Sequence, residues 1–220
     1  MRRALAVGVI VVVMLVACSA SAQMYASLRM TGTGNYDIIS SMMMSMYRPM
    51  YGIGPCDTGL FNYKEVALGY GEEFQGELSF GFSTFKYTWE EQGEYRFDQE
   101  LSFNWFNIGI AGFYEILETE NSTVDFGLRF QWHSASINDD YSEDYSDKWS
   151  ASGWSIGPVF RHNWALADGA ITIGPEIYPK YTSVTSEIES TFPGRDTQTS
   201  DGPKATAFDI DYSLRMDFHF

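Results

Sequence analysis

Phe208-Asp209-Ile210-Asp211-Tyr212-Ser213-Leu214-Arg215-Met216-Asp217-Phe218-His219-Phe220 is the stretch whose reading decides the fold. Phe208, Ile210, Tyr212, Leu214, Met216, Phe218 and Phe220 place an apolar or aromatic side chain at every second position, and the residues between them are mostly ionic. Successive side chains of an extended strand point to opposite faces, so this ribbon is oily on one side and charged on the other. A strand of that kind suits a wall with lipid on one side and a polar lumen on the other.

The same period recurs upstream. Val124, Phe126, Leu128, Phe130 and Trp132 alternate with Asp125, Gly127, Arg129, Gln131 and His133, while Ile171, Ile173, Pro175, Ile177, Pro179 and Tyr181 alternate with Thr172, Gly174, Glu176, Tyr178 and Lys180. Trp154, Ile156, Pro158, Phe160 and Trp164 form another apolar face, with Arg161 on the reverse. Further strands are expected near 62–71, 75–89, 94–105 and 107–117. A change of phase between Leu78, Phe80, Phe82 and Phe85, Tyr87, Trp89 predicts a bulge near Ser83-Thr84. Ala167-Asp168-Gly169, Glu118 to Thr123 and Glu90 to Gly93 read as short turns at one end, and the polar stretches 138–150 and 185–204 as long loops at the other. The reading is an all-β, antiparallel up-and-down transmembrane β-barrel of eight strands. Pro158, Pro175 and Pro179 each remove a ladder donor, so Gly157-Pro158 and Gly174-Pro175 are expected at bulges.

Residues 23–61 fit less simply. Met24, Ala26, Leu28 and Met30 alternate, and Met42, Met43, Met44, Met46 and Met50 crowd the stretch that follows. The segment is either an extra hairpin, giving ten strands, or an N-terminal piece packed in the lumen or periplasm; the barrel then covers 62–220.

Met1-Arg2-Arg3, the thirteen-residue apolar run from Leu5 to Ala17 and the small residues Ala20-Ser21-Ala22 read as a secretory signal peptide over residues 1–22. The run is short of the roughly 20 apolar residues that a spanning helix needs. Leu15-Val16-Ala17-Cys18 overlaps it as a lipobox, the alternative processing site. Whichever is used, Cys56 has no intramolecular disulfide partner. A net charge of −15 is a poor match for nucleic acid. Acidic surface beside anionic lipid instead favours divalent cations. Aromatic residues at 16% and twenty glycines suit an all-β chain. A mean hydropathy of −0.20 is what two-faced strands average to.

The lumen-facing set is expected to hold Asp125, Arg129, Arg161, Glu176, Lys180, Asp209, Asp211, Arg215 and Asp217. In a barrel whose interior is only wide enough for side chains, these charges read as an ion-pair network filling the bore, with a channel's selectivity lining as the alternative. Trp89, Tyr95, Trp105, Trp132, Trp154, Trp164, Tyr178 and Tyr181 read as girdles at headgroup depth. Asp139, Asp140, Glu143 and Asp144 cluster in one expected loop but lack the glycine and closing glutamate of an EF-hand, so they are weak metal candidates only. No catalytic or cofactor motif is evident.

The closing strand, through Tyr212, Leu214, Met216, Phe218 and Phe220, resembles the C-terminal insertion signal of Gram-negative outer-membrane barrels, although it lacks the glycine often found there. With the alternation over 62–220, the chain resembles the small OmpX- and OmpW-like class. That resemblance implies the bacterial outer membrane, insertion by the barrel assembly machinery, contact with lipopolysaccharide, and a non-enzymatic structural or surface-interaction role. A narrow channel for small or apolar solutes is the alternative it implies. His133-Ser134-Ala135-Ser136 invites comparison with lipid A deacylases of the PagL type, whose catalytic serine follows histidine by two positions on a strand. Here that position is Ala135, and Ser134 and Ser136 fall on the opposite face, so a catalytic dyad would need a bulge.

Overall fold

A computed structural model describes residues 23–32, 63–90, 98–142, 145–192 and 196–220. Eight antiparallel strands close into a ring in sequence order: β1 (Met24–Gly32), β2 (Tyr63–Gly71), β3 (Phe74–Glu90), β4 (Asp98–Thr119), β5 (Ser122–Ser142), β6 (Tyr145–Leu166), β7 (Ile171–Thr191) and β8 (Gln198–His219). β1 seals the ring against β8, from Tyr25 opposite His219 to Gly32 opposite Tyr212. Among the described residues the one helical element is a three-residue 3-10 turn, Ala167–Gly169. It is the tight β6–β7 turn, with positive φ at Ala167, Asp168 and Gly169. No described helix is long and apolar enough to cross a membrane.

Eight strands are present, though not the eight expected. From Asp98 on, the stretches expected near 94–105 and 107–117 are one strand, β4, and the missing member is β1, drawn from the segment read as a hairpin or a packed piece. The barrel therefore begins at Met24, not near residue 62. Merging two strands reverses one turn: Glu90 is opposite Asp98, and Glu100 is opposite Asp140, so the β3–β4 connection lies at the long-loop end.

The expected loops at 138–150 and 185–204 are mostly strand, since β5 runs to Ser142, β6 starts at Tyr145, β7 ends at Thr191 and β8 begins at Gln198. Alternation with an apolar outer face stops there because lipid stops, while backbone pairing continues. The 22 residues of β6 span about 70 Å at the usual rise. Tilted by about 40°, that strand stands about twice the height of a 25 Å apolar band.

The bulge expected near Ser83-Thr84 is absent: β3 and β4 stay in one register from Phe74 opposite Tyr114 to Glu90 opposite Asp98. Irregularities lie instead at Glu115/Leu117, Asp140/Ser142 and Thr185/Glu187. The prolines do not sit at bulges either. The β6–β7 register is the same at Ile156 opposite Tyr181, Phe160 opposite Ile177 and Trp164 opposite Ile173, with the bonded pairs missing between them. That register places Pro158 opposite Pro179, so two missing donors fall in a single gap. It also sets Gly174 opposite Asn163, where a Cβ would lie 1.6 Å from the His162 carbonyl oxygen.

Burial gives the sheet its orientation. Leu68, Ile110, Leu128, Phe160, Ile177 and Leu214 are exposed on the outer wall, whereas Arg29, Glu65, Asp125, Arg161, Glu176 and Lys180 are buried inside. A water-soluble barrel has the opposite arrangement. Apolar outside and ionic inside is the polarity of a wall in lipid.

Candidate functional site

Charged side chains from six strands converge in the bore. Arg29 on β1 pairs with Glu65 and Glu77 and lies 3.4 Å from Glu176. Arg129 on β5 is bidentate to Glu176, at 2.7 and 2.9 Å, and 3.7 Å from Glu77. Arg161 on β6 reaches Glu77 at 3.3 Å and Asp125 at 3.2 Å. Glu77 also accepts a hydrogen bond from the Tyr25 hydroxyl at 3.3 Å, and Glu65 accepts one from the Gln131 amide at 3.0 Å. The cluster thus crosses the lumen from β1–β3 to β5–β7 instead of lining one wall. Each guanidinium meets at least two carboxylates, the arrangement that lets charges survive out of water.

Aromatic rings close the cluster. The Arg161 guanidinium carbon lies 3.2 Å from the Phe113 ring centroid, and that of Arg129 is 5.1 Å from the Tyr178 centroid. Small residues make room beside the large ones. A Cβ at Gly69 would fall 1.9 Å from the Tyr25 ring, so the space beside that glycine is already filled.

All nine residues expected in the lumen face it, but they divide into three groups. Asp125, Arg129, Arg161 and Glu176 belong to the central cluster. Arg215 pairs with Asp217 toward the Phe220 end and donates to Ser27 at 3.1 Å. Lys180 pairs with Asp211 toward the opposite end, with Asp209 across from it on β8. Sequence reasoning missed Arg29, Glu65 and Glu77, which complete the central group.

His133 faces inward, and its partner is Ser155 on β6, at 2.9 Å, not Ser134 or Ser136, which lie on the outer side. Both residues are fully buried, with Trp105 stacked on the imidazole at 5.7 Å and the Tyr178 hydroxyl 3.4 Å from Ser155. His162 points outward beside Trp164, and His219 meets Thr172 at 3.2 Å. Asp139 and Asp140 are strand residues of β5, opposite Asp147 and Ser146, not members of a loop. Glu143 and Asp144 lie outside the described residues. Among the described residues no three His, Cys, Asp or Glu side chains are placed to hold a metal.

The aromatic expectation holds in part. Trp132, Trp154, Trp164 and Tyr181 face outward, but Trp105 and Tyr178 point into the lumen. Trp89 is within β3 with its side chain outside the description, and Tyr95 lies outside the described residues. Above Trp132 and Trp154 the sheet changes sides: Trp105, Ala135, Ile137, Trp149, Ala151 and Val184 are buried inside, where ionic groups stand lower down. The upper wall is built like a water-soluble barrel.

Comparison with known structures agrees with this geometry. A major outer membrane protein from Thermus thermophilus superposes with a TM-score of 0.58 at 10% identity, over 91% of this chain and 100% of that one. The fold is that of a small outer-membrane barrel. Ail of Yersinia pestis and CarO of Acinetobacter baumannii align at 10% identity over 90% and 89% of this chain and 97% of each of theirs, with TM-scores of 0.36. The sequence matches no family description and no curated protein.

Proposed function

We infer that this chain is an outer-membrane barrel with a closed lumen, whose work is structural or lies in surface interaction, not in transport or catalysis. The observation that carries this is the cluster of Arg29, Arg129 and Arg161 with Glu65, Glu77 and Glu176, which joins opposite walls of the bore. A selectivity lining would leave charges solvated along one wall. Here they neutralise one another beneath an apolar upper core, a poor path for ions. The outer-membrane location rests on the inverted polarity of the sheet and on the fold. Tyr212, Leu214, Phe218 and Phe220 lie on its exposed outer face, accessible to assembly factors. The test is planar-bilayer recording of the refolded, heat-modifiable protein. A closed lumen predicts silence at high protein load, and reproducible stepwise conductance would establish the channel instead.

A further inference from the structure

The outer wall carries an ordered boundary. On β3 to β8 the apolar outward column ends in an aromatic residue: Phe82, Phe106, Trp132, Trp154, Tyr181 and Phe208. The register sets these as three facing pairs, Phe82 with Phe106, Trp132 with Trp154, and Tyr181 with Phe208. The next outward position on every one of these strands carries a small neutral hydrogen-bonding side chain: Thr84, Asn104, Ser134, Ser152, Ser183 and Thr206. These too face one another in pairs, Thr84 with Asn104, Ser134 with Ser152, and Ser183 with Thr206. Six strands therefore repeat one two-residue motif, which steps by two residues from one pair to the next, with Phe106 opposite Ser134 and Trp154 opposite Ser183.

Among the described residues none of these six side chains makes a hydrogen bond within the protein. They form a belt of free hydroxyl and amide groups where the apolar band ends, at headgroup depth. Among the described residues none of the six belt positions holds a cation. Lys148 and Lys204 stand above the belt on the outer face, with Lys148 engaged by Glu189 at 3.7 Å, and Lys64, exposed on β2 opposite Phe82, borders it at one edge, three strands away from Trp132. A phosphate-rich headgroup calls for Arg or Lys, and the chain's net charge of −15 adds repulsion. Hydroxyl-rich neutral sugars instead match donors and acceptors one for one and rest on aromatic faces.

We propose that this belt is a binding surface for outer-leaflet lipids with neutral sugar headgroups, selected over lipids with anionic phosphate headgroups. The proposal rests on the bilayer location inferred above. It is tested by folding the full chain into phosphatidylcholine vesicles containing a minor fraction of chain-brominated glucosyl diacylglycerol or of chain-brominated phosphatidylglycerol. With the outward Trp164 replaced by Phe, quenching of Trp132 and Trp154 reports the lipid beside the belt. The glycolipid should be enriched about fivefold over phosphatidylglycerol, the ratio that one net hydrogen bond per lipid produces. Replacing Ser134, Ser152 and Ser183 by Ala should bring that ratio to about one. Ser134→Lys with Ser152→Lys should invert it, and the gel shift on heating verifies that each variant folds. Equal quenching by both lipids, or a ratio that the substitutions leave unchanged, overturns this proposal alone. Failure of the unaltered chain to insert into vesicles overturns the bilayer reading with it.

Discussion

Glu77→Gln is the perturbation that most directly probes the closed lumen. The carboxylate pairs with Arg29, lies 3.3 Å from Arg161 and 3.7 Å from Arg129, and accepts the Tyr25 hydroxyl. At an effective dielectric of about 20, the attractions at 3.3 and 3.7 Å are each about 5 kcal/mol. Desolvating the carboxylate offsets much of this, and glutamine keeps part of the hydrogen bonding. What remains is three buried guanidiniums with one fewer anion. Removing one partner of a buried pair costs about 3 to 5 kcal/mol, and that is the loss expected here. Urea unfolding in detergent micelles, followed by tryptophan fluorescence and by mobility of unheated samples on gels, measures it. Glu77→Gln combined with Arg161→Met should lose less than the sum of the single changes, by about 2 kcal/mol, because the second change removes a charge that the first left unpaired. A loss below about 1 kcal/mol for Glu77→Gln would show that water already screens these charges, as in an open bore, and would refute the closed-lumen reasoning.

Gly69→Val should destabilise the barrel by about 1 to 3 kcal/mol in the same unfolding assay, because its side chain would occupy the place of the Tyr25 ring. Leu128→Arg, in the middle of the apolar band, should cost about 2 to 4 kcal/mol when the barrel is unfolded from lipid vesicles, whereas Ser152→Arg, just past the aromatic boundary, should cost at most about 1 kcal/mol. Deleting Phe220, which stands exposed at the end of the outer face, should lower the amount of protein recovered in outer-membrane fractions while leaving refolding into detergent unchanged. Equal losses in the cell and in detergent would make that residue a stability element instead of an assembly signal.

The lipid-facing half of the molecule was legible because its code is one-dimensional. From Phe208 to Phe220 and from Val124 to Trp132, period 2 states both the strand and its orientation. The upper halves of β5 to β8 were misread for a physical reason. Above Trp132 and Trp154 both environments change at once, so Ser134, Ser136 and Asn138 face water while Ala135 and Ile137 fill the bore. The alternation continues with its sign reversed, and a reader following only the outward apolar column sees it end. Trp105 was placed in the girdle for the same reason, since an aromatic residue near the boundary lies inside or outside according to its parity, whereas Tyr178 shares the lumen parity of Glu176 and Lys180 and packs beside Arg129. The signal for Arg29, Glu65 and Glu77 was present. Met24, Ala26, Leu28 and Met30 face outward, which sends Arg29 inward, and Val66 and Leu68 do the same for Glu65. Which charges would pair was not legible, because the partners of Arg29 and Arg161 reach across the lumen and depend on closure of the ring.

The reversal of polarity along single strands also explains how the described strands can fill a narrow bore with their own side chains. Within the lipid band the outer positions are committed to apolar residues, so the inner ones must supply the polar contacts, and a dry ionic centre forms only if cations and anions meet across the bore. Arg29, Arg129 and Arg161 do so, each with more than one carboxylate. Above the band that constraint lifts. The wall turns its Ser and Thr residues to the outside, and the interior can be filled with Trp105, Ile137, Trp149 and Val184. An apolar core on top of the ion pairs keeps water from them on the exposed side, and the absence of competing water is what makes the ion pairs strong. The two halves depend on each other: exchanging Trp149 or Ile137 for small polar residues should admit water to the central cluster and weaken pairs it does not touch.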